Sequence, residues 1–277
     1  MNPDETIETD NGSCSLWWTD VPQLPDEKVG CIGQYEGSGA VEAALARLKE
    51  EGCTLAIGPM DGSTWRSYRF VTDFGDEPRF LLEPWNSPEA PKEFDEAGFA
   101  PLATYSSSKL PLDPRDLSKI EDRIAKRGIQ ILSIDVSRFR DELALVYKLS
   151  LNSFAENFLY TPIARDEFLA MYGQAEPLVR PEFVQIAENG EGDAIGFVFA
   201  LPDGDNLVVK TLATHPNWRR YGLGSVLVER VQTAAKEMGF EHAIHALQHQ
   251  NNSSLKITGR NSGERIREYT LYSKNLR

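Results

Sequence analysis

The chain has 277 residues, 41% of them hydrophobic and 26% charged, with 42 acidic against 29 basic side chains and a formal net charge of −13. That is the composition of an ordinary water-facing globular protein; its acidity disfavours nucleic acid and anionic membranes as partners, and no apolar run is long enough to cross a bilayer. Three scattered cysteines, Cys14, Cys31 and Cys53, with no Cys-x-x-Cys pair, argue against a disulfide framework or a zinc site and fit a reducing cytoplasm.

The first ten residues are acidic and lack the apolar core of a signal peptide. Residues 1–27 are mostly polar, carry Pro22, Pro25 and the pair Trp17-Trp18, and read as a flexible leader. A strand is expected at 28–32, then a helix over 40–51 with Val41, Ala44, Leu45 and Leu48 at helical spacing and a stop at Gly52. A strand at 53–57, a turn-rich segment at 58–64, an apolar run at 79–82, a short helix over 91–97 and a strand to about Tyr105 follow.

Residues 106–116 hold three serines, Pro111 and Pro114, the composition of a linker. Beyond them come an exposed helix (117–126), a strand (129–134), helices over 141–158 and 164–172, and a hairpin of 183–188 with 194–201. An apolar strand leads through His215-Pro216 into a basic Gly-rich loop and an amphipathic helix closed by Gly239. A strand at 242–247, a short helix at 253–258 and a strand at 265–272 complete the chain. This order mixes hairpins with a strand–helix–strand crossover, so the fold class is α+β, a mixed sheet flanked by helices rather than an alternating Rossmann pattern. The division expected is a leader (1–27), a first domain (28–115), a linking helix (116–128) and a second domain (129–277).

Two stretches match. Gln34-x-x-Gly37-x-Gly39 and Arg219-x-x-Gly222-x-Gly224 are each preceded by a strand and followed by a helix, a glycine and another strand. An internal duplication accounts for that shared order.

The second motif has a phosphate-binding chemistry. A helix N-terminus presents free N–H groups and the positive end of its dipole. Gly222 and Gly224 let a ligand approach the backbone, and Arg219 and Arg220 add local positive charge where the overall field is negative. A P-loop would need Gly-Lys-Ser/Thr, which is absent, and a dinucleotide fingerprint needs a third glycine where Leu227 stands.

The stretch from Val209 to Gly239, with His215-Pro216 and Arg219 to Gly224, resembles the acyl-CoA-binding core of the GNAT superfamily of N-acetyltransferases. The resemblance covers roughly residues 129–277, and the repeat resembles tandem members whose N-terminal copy is degenerate; Phe94 stands there where the family's closing segment has tyrosine. It implies two GNAT-like acyl-CoA N-acyltransferase units, the first partial, with acetyl-CoA as co-substrate and no metal. By that resemblance Leu212, Ala213 and Thr214 would pair with the pantetheine arm, and the N–H groups of Tyr221, Gly222, Leu223, Gly224 and Ser225 would hold the pyrophosphate. Asn252, or Asn251, would hydrogen-bond the arm.

The chain departs from the family at the acid that protonates the leaving thiolate. The helix expected at 253–258 has no tyrosine, which leaves Tyr272 as candidate acid, with Tyr269 nearby. Glu156, Glu188 and Glu268 are candidate bases, and His245 and His249 lie on or beside a notch strand. The activity implied is transfer of an acetyl group from acetyl-CoA to a primary amine of a small molecule or peptide in the cytoplasm, the acidity favouring a cationic acceptor. The alternatives are a catalytically silent acyl-CoA-binding protein and a transferase of a longer acyl chain. Neither the oligomeric state nor a ligand for the first copy is legible.

Overall fold

The computed structural model describes residues 2–250 and 263–277. The first half runs β1 (Glu5–Glu8), β2 (Gly12–Trp17), β3 (Val29–Gly37), α1 (Ala40–Glu50), β4 (Leu55–Gly58), β5 (Phe70–Asp73), α2 (Ala90–Glu96) and β6 (Ala100–Pro111). After α3 (Ser118–Ala125) come β7 (Gln130–Ser133), α4 (Phe139–Ser153), α5 (Arg165–Gly173), β8 (Val184–Glu188), β9 (Ala194–Asp203) and β10 (Asn206–Thr214). The chain closes with α6 (Leu223–Glu237), β11 (His242–His249) and β12 (Glu264–Asn275).

These strands form one mixed sheet in the order β1-β2-β3-β4-β12-β6-β11-β10-β9-β8-β7, with β5 paired to β12. Two neighbouring pairs are parallel, β3 with β4 and β10 with β11. Each is joined by a glycine-entered helix, α1 or α6, so the repeat seen in the sequence is also a repeat of topology.

Alternation along each strand sends side chains to opposite faces. On β9, Val198 joins the cluster under α6 with Leu207, Val209, Val226, Leu227, Val231 and Ala243. Its neighbour Phe197 joins Phe139, Leu143, Val146, Leu149 and Phe168 under α4 and α5. Each fully buried aliphatic side chain in such a layer contributes about 1.5–3 kcal/mol. In the first half, Val41, Ala44, Leu45 and Leu48 of α1 close over Leu16, Ile32, Ala56 and Phe94.

Three segments differ from the sequence reading. The expected leader contains β1 and β2, and Trp17 is fully buried. Its polar residues disguise strand character because β2 buries Cys14 and Ser15 as well as Leu16. The apolar run at 79–82 forms no strand; the strand of that region is β5, nine residues earlier. The expected linker, with its three serines, lies largely inside β6, which pairs with β11 on one side and β12 on the other. The helix expected at 253–258 lies outside the described residues.

The central pairing of β6 and β12 is a strand exchange. β6, from the first half, lies against β11 of the second, while the end of β12 pairs Tyr272 to Asn275 with Gly58 to Leu55 of β4. A fully buried ion pair braces the exchange: Arg267 Nε on β12 donates to Glu83 Oε1 at 2.8 Å, both side chains having no exposure. Glu83 also accepts from the Phe80 amide and the Tyr269 hydroxyl. Tyr269 and Ser107 share a hydrogen bond of 2.9 Å, and Ser107 Oγ accepts from the Leu247 amide on β11. Removing one partner of a buried pair strands the other's charge. Arg267→Met should therefore lower unfolding free energy by about 3–5 kcal/mol in urea melts, and Arg267→Met with Glu83→Leu should recover at least half of the loss.

Candidate active site

β10 and β11 pair only from Asn206–His242 to Val209–His245. Beyond that point β10 stays with β9 as far as Thr214, and β11 stays with β6 as far as His249, so the two strands part. Irregularities at one level produce the parting. β10 carries a bulge between Val209 and Thr211, and β11 one between His245 and Gln248, where Leu247 has φ 58°. A bulge inserts an unpaired residue and bends its strand. The cleft that opens has a volume of about 150 Å³ and is walled by Val209–Leu212 on one side and His245–Gln248 on the other, with Phe154 and Val228. Its β10 wall offers backbone N–H and C=O groups with no strand across from them among the described residues.

The same strand leads to the glycine loop. A turn of 3₁₀ helix, Pro216–Tyr221, is opened by His215, whose Nδ1 accepts from the Asn217 amide. Gly222 then takes φ 81°, a left-handed conformation that side chains resist, and α6 starts at Leu223. No side chain caps that helix end, so its first-turn N–H groups, those of Leu223, Gly224 and Ser225, lack a carbonyl one turn back. A Cβ on Gly224 would stand 3.5 Å from Leu212 and Thr214 side chains, which places this turn against the cleft strand.

The two arginines divide their work. Arg219 donates to the Ser153 carbonyl at 2.9 Å and pairs with Glu156 at 3.3 Å, so its charge closes the C-terminal end of α4 instead of facing the loop. Arg220 donates to the Tyr221 hydroxyl at 2.9 Å, which holds that phenol below its ordinary range, and Arg127 stacks over the same ring at 4.7 Å. Arg127 was not visible as part of this group because α3 brings it there from nearly a hundred residues upstream.

The first unit's counterpart is shut. β3 and β4 also pair for three residues, from Val29–Leu55 to Cys31–Ile57. The chain leaving β4 then returns along β3: the Met60 amide donates to the Ile32 carbonyl at 2.8 Å and the Gln34 amide to Asp61 Oδ1 at 2.8 Å. Met60 is fully buried in this seam. In the loop, the Ser38 amide is spent on the Asn11 carbonyl at 3.0 Å, and a Cβ on Gly37 would stand 2.2 Å from that oxygen.

The candidate proton-transfer groups do not gather at the open cleft. Tyr272 is buried in the first unit's core beside Phe94, paired across to Gly58, with burial pushing its hydroxyl up to about 12. It is two strands away from β11 in the sheet, which removes it from the cleft. Tyr269 is committed to Glu83 and Ser107. Glu156 faces Arg219, Glu268 pairs with Arg265 at 2.6 Å, and Glu188 lies on β8. His245 lines the cleft but is buried, shares a 2.9 Å hydrogen bond with Gln232 of α6, and is pushed down to about 4 by burial. Asn252 lies outside the described residues. Lys210, which sequence reasoning passed over, lines the cleft at the bulge; burial and then the charge of Arg69 lower its amine to about 8. A wider hollow of about 440 Å³ lies between α3 and α6, away from the parted strands; its Arg115 and Arg230 are paired with Glu229 and Glu121, and its other charged lining residues, Asp116 and Glu237, are acidic.

Residues 145–259 match the family model described as Acetyltransferase (GNAT) family, a span that contains the cleft and its loop. This part of the chain is similar to the GNAT superfamily. Among solved structures, a GCN5-related N-acetyltransferase from Sphaerobacter thermophilus superposes over 96% of this chain and 77% of its own, with TM-score 0.56 and 12% identity. A tandem GNAT protein from the clavulanic acid biosynthesis pathway superposes over 99% and 85%, with TM-score 0.54 and 11% identity. Both likenesses are of fold, and they extend the GNAT architecture to both units. A bacterial ceramide synthase from Caulobacter vibrioides is 24% identical over 165 residues, 58% of this chain; the chain spans 42% of that relative's length. No helix among the described residues is long and apolar enough to cross a membrane.

His245 supplies a test of the cleft's dryness. Its folded-state value, about 4, lies below the ordinary 6.5. Between those values the unfolded chain binds the proton and the fold does not, so stability is full above pH 6.5 and falls as pH drops toward 4. His245→Gln should flatten the decline of Tm between pH 6.5 and 4.5, and the part of the decline that it removes should not exceed about 3 kcal/mol.

Proposed function

We propose that the protein is an N-acyltransferase that moves an acetyl group from acetyl-CoA to an amine, using the second unit's cleft. One observation carries the reading: a parallel strand pair that parts after Val209 and His245, directly before a helix entered through a left-handed glycine.

The assignments follow from what each group offers. The free backbone edge of Leu212, Ala213 and Thr214 suits the amides of the pantetheine arm. The N–H groups of Leu223, Gly224 and Ser225, with Tyr221 and Gly222 at the loop, suit the pyrophosphate. Arg220, with Arg127, supplies positive charge there, and Arg219 braces the loop against α4. Asn252 keeps its assignment to the arm.

In the reaction the amine's lone pair attacks the thioester carbonyl carbon, and the carbonyl π electrons move to oxygen. The Leu212 N–H is the donor assigned to that oxyanion, an interaction worth several kcal/mol in a dry site. Collapse breaks the C–S bond, the nitrogen loses a proton, and the thiolate gains one. No carboxylate walls the cleft among the described residues. With water assigned as acceptor of the amine's proton, the log of kcat/KM should rise with pH at a slope of about one up to the acceptor amine's own pKa.

The Caulobacter relative's name, a ceramide synthase, makes donor length the variable to measure. Calorimetry with acetyl-CoA and octanoyl-CoA, followed by thiol release over an amine panel, separates three outcomes. Turnover of acetyl-CoA supports the reading, turnover of the longer donor alone replaces acetyl by a longer acyl group, and binding without thiol release from any amine replaces catalysis by binding. Gly224→Asp puts a carboxylate at the helix entry without a left-handed backbone. It should weaken acetyl-CoA binding at least tenfold with Tm changed by less than about 3 °C.

A further inference from the structure

Near the cleft stands an arginine with two donors unmet among the described residues. The Arg69 guanidinium is sandwiched between the rings of Tyr68 (3.9 Å) and Tyr105 (4.2 Å), and its Nε and Nη1 atoms are buried with no hydrogen-bond partner among the described residues. Its backbone is held in a left-handed conformation, φ 75°, by its amide bond to the Pro59 carbonyl. Buried guanidinium nitrogens normally meet a carboxylate or phosphate, and leaving such donors unmade is costly.

The carboxylates of this region are already engaged. Glu167 pairs with Arg66 at 2.6 Å, three residues earlier in the same loop, and Glu83 pairs with Arg267. Arg267 also leaves one nitrogen, Nη1, unbonded, but it faces its own carboxylate.

Arg69 belongs to the cleft's surroundings on both sides. On the β11 side, Tyr105 carries the His249 ring at 5.0 Å, and burial followed by the Arg69 charge lowers that imidazole. On the β10 side, the same charge contributes to lowering Lys210. The loop bearing Arg69 is fixed to the second unit by Trp65, whose Nε1 donates to the Thr161 carbonyl at 2.7 Å. Lys210 thus lines a cleft with no carboxylate among its described walls, and Arg69 stands close enough behind it for its charge to act on that amine. The chain's net charge of −13 draws cations from a distance, whereas the charged side chain that lines the cleft itself is the basic Lys210.

From this arrangement we infer that the acceptor carries a carboxylate as well as its amine, and that Arg69, supplied by the degenerate first unit, binds that carboxylate with Lys210 as a second positive charge. The first unit is then a wall of the acceptor site. The inference rests on the assignment of the second cleft to the thioester.

The test uses the full chain, acetyl-CoA and pairs of L-amino acids with the amines they give on decarboxylation. Thiol release is read together with calorimetric binding of acetyl-CoA. At least one amino acid should exceed its decarboxylated partner by tenfold or more in kcat/KM. Arg69→Gln should bring that ratio to within twofold of one, mainly through KM, with acetyl-CoA affinity unchanged. Lys210→Met, which leaves the loop backbone alone, should lower the ratio by a smaller factor. Equal or better use of the decarboxylated amines by the wild-type protein, or a ratio that survives Arg69→Gln, overturns the inference while leaving the cleft assignment intact. Failure of the wild-type protein to bind acetyl-CoA overturns the cleft assignment, and this inference with it.

Discussion

A strand can leave its neighbour only if its other edge is satisfied. β10 can part from β11 because β9 holds it to Thr214, and β11 can turn away because β6 holds it to His249. β6 comes from the first unit, so the opening of the second unit's cleft depends on a strand lent by its degenerate companion. β12 returns the exchange by pairing with β4. The buried Glu83–Arg267 pair ties loop and strand together at the centre, and its hydrogen bonds run on through Tyr269 and Ser107 to the Leu247 amide, at the bulge that bends β11. Local cleft geometry and global strand exchange are one piece of structure.

The duplicated units show what separates an open notch from a closed one. Both have a short parallel pair, a glycine-rich loop and a helix entered through a left-handed glycine. In the first, Met60 and Asp61 fold back on β3 and Asn11 takes the loop amide of Ser38. The groups that would receive a carrier have been consumed by the protein itself. What that unit retains is a surface, and its loop from Trp65 to Arg69 is tied to the second unit through the Trp65 hydrogen bond to the Thr161 carbonyl.

The parts of this arrangement that depend on local pattern were legible in the sequence. The α6 helix, its glycine entry and the hairpin of β8 and β9 follow from periodicity and turn chemistry, and the GNAT resemblance rested on those residues. The parts set by distant pairing were not. Ser106–Ser108 read as linker because serine is polar, yet Ser107 is fully buried with its hydroxyl engaged by Tyr269 and Leu247. Tyr272 read as a candidate acid from its position near the C-terminus, but strand exchange carries it into the other unit's core. Arg69 gave no signal because nothing in Ser67-Tyr68-Arg69-Phe70 reports that Tyr105, thirty-six residues on, closes the sandwich. Lys210 was hidden inside an apolar strand whose bulge appears only in the paired structure.

The central claim is that acetyl-CoA enters the second cleft and not the first. Amide hydrogen exchange with and without acetyl-CoA tests it residue by residue. Slowed exchange at Leu212–Thr214 and Leu223–Ser225, with no change over residues 32–40, is the result predicted. Protection over residues 32–40, or none at either loop, would contradict it.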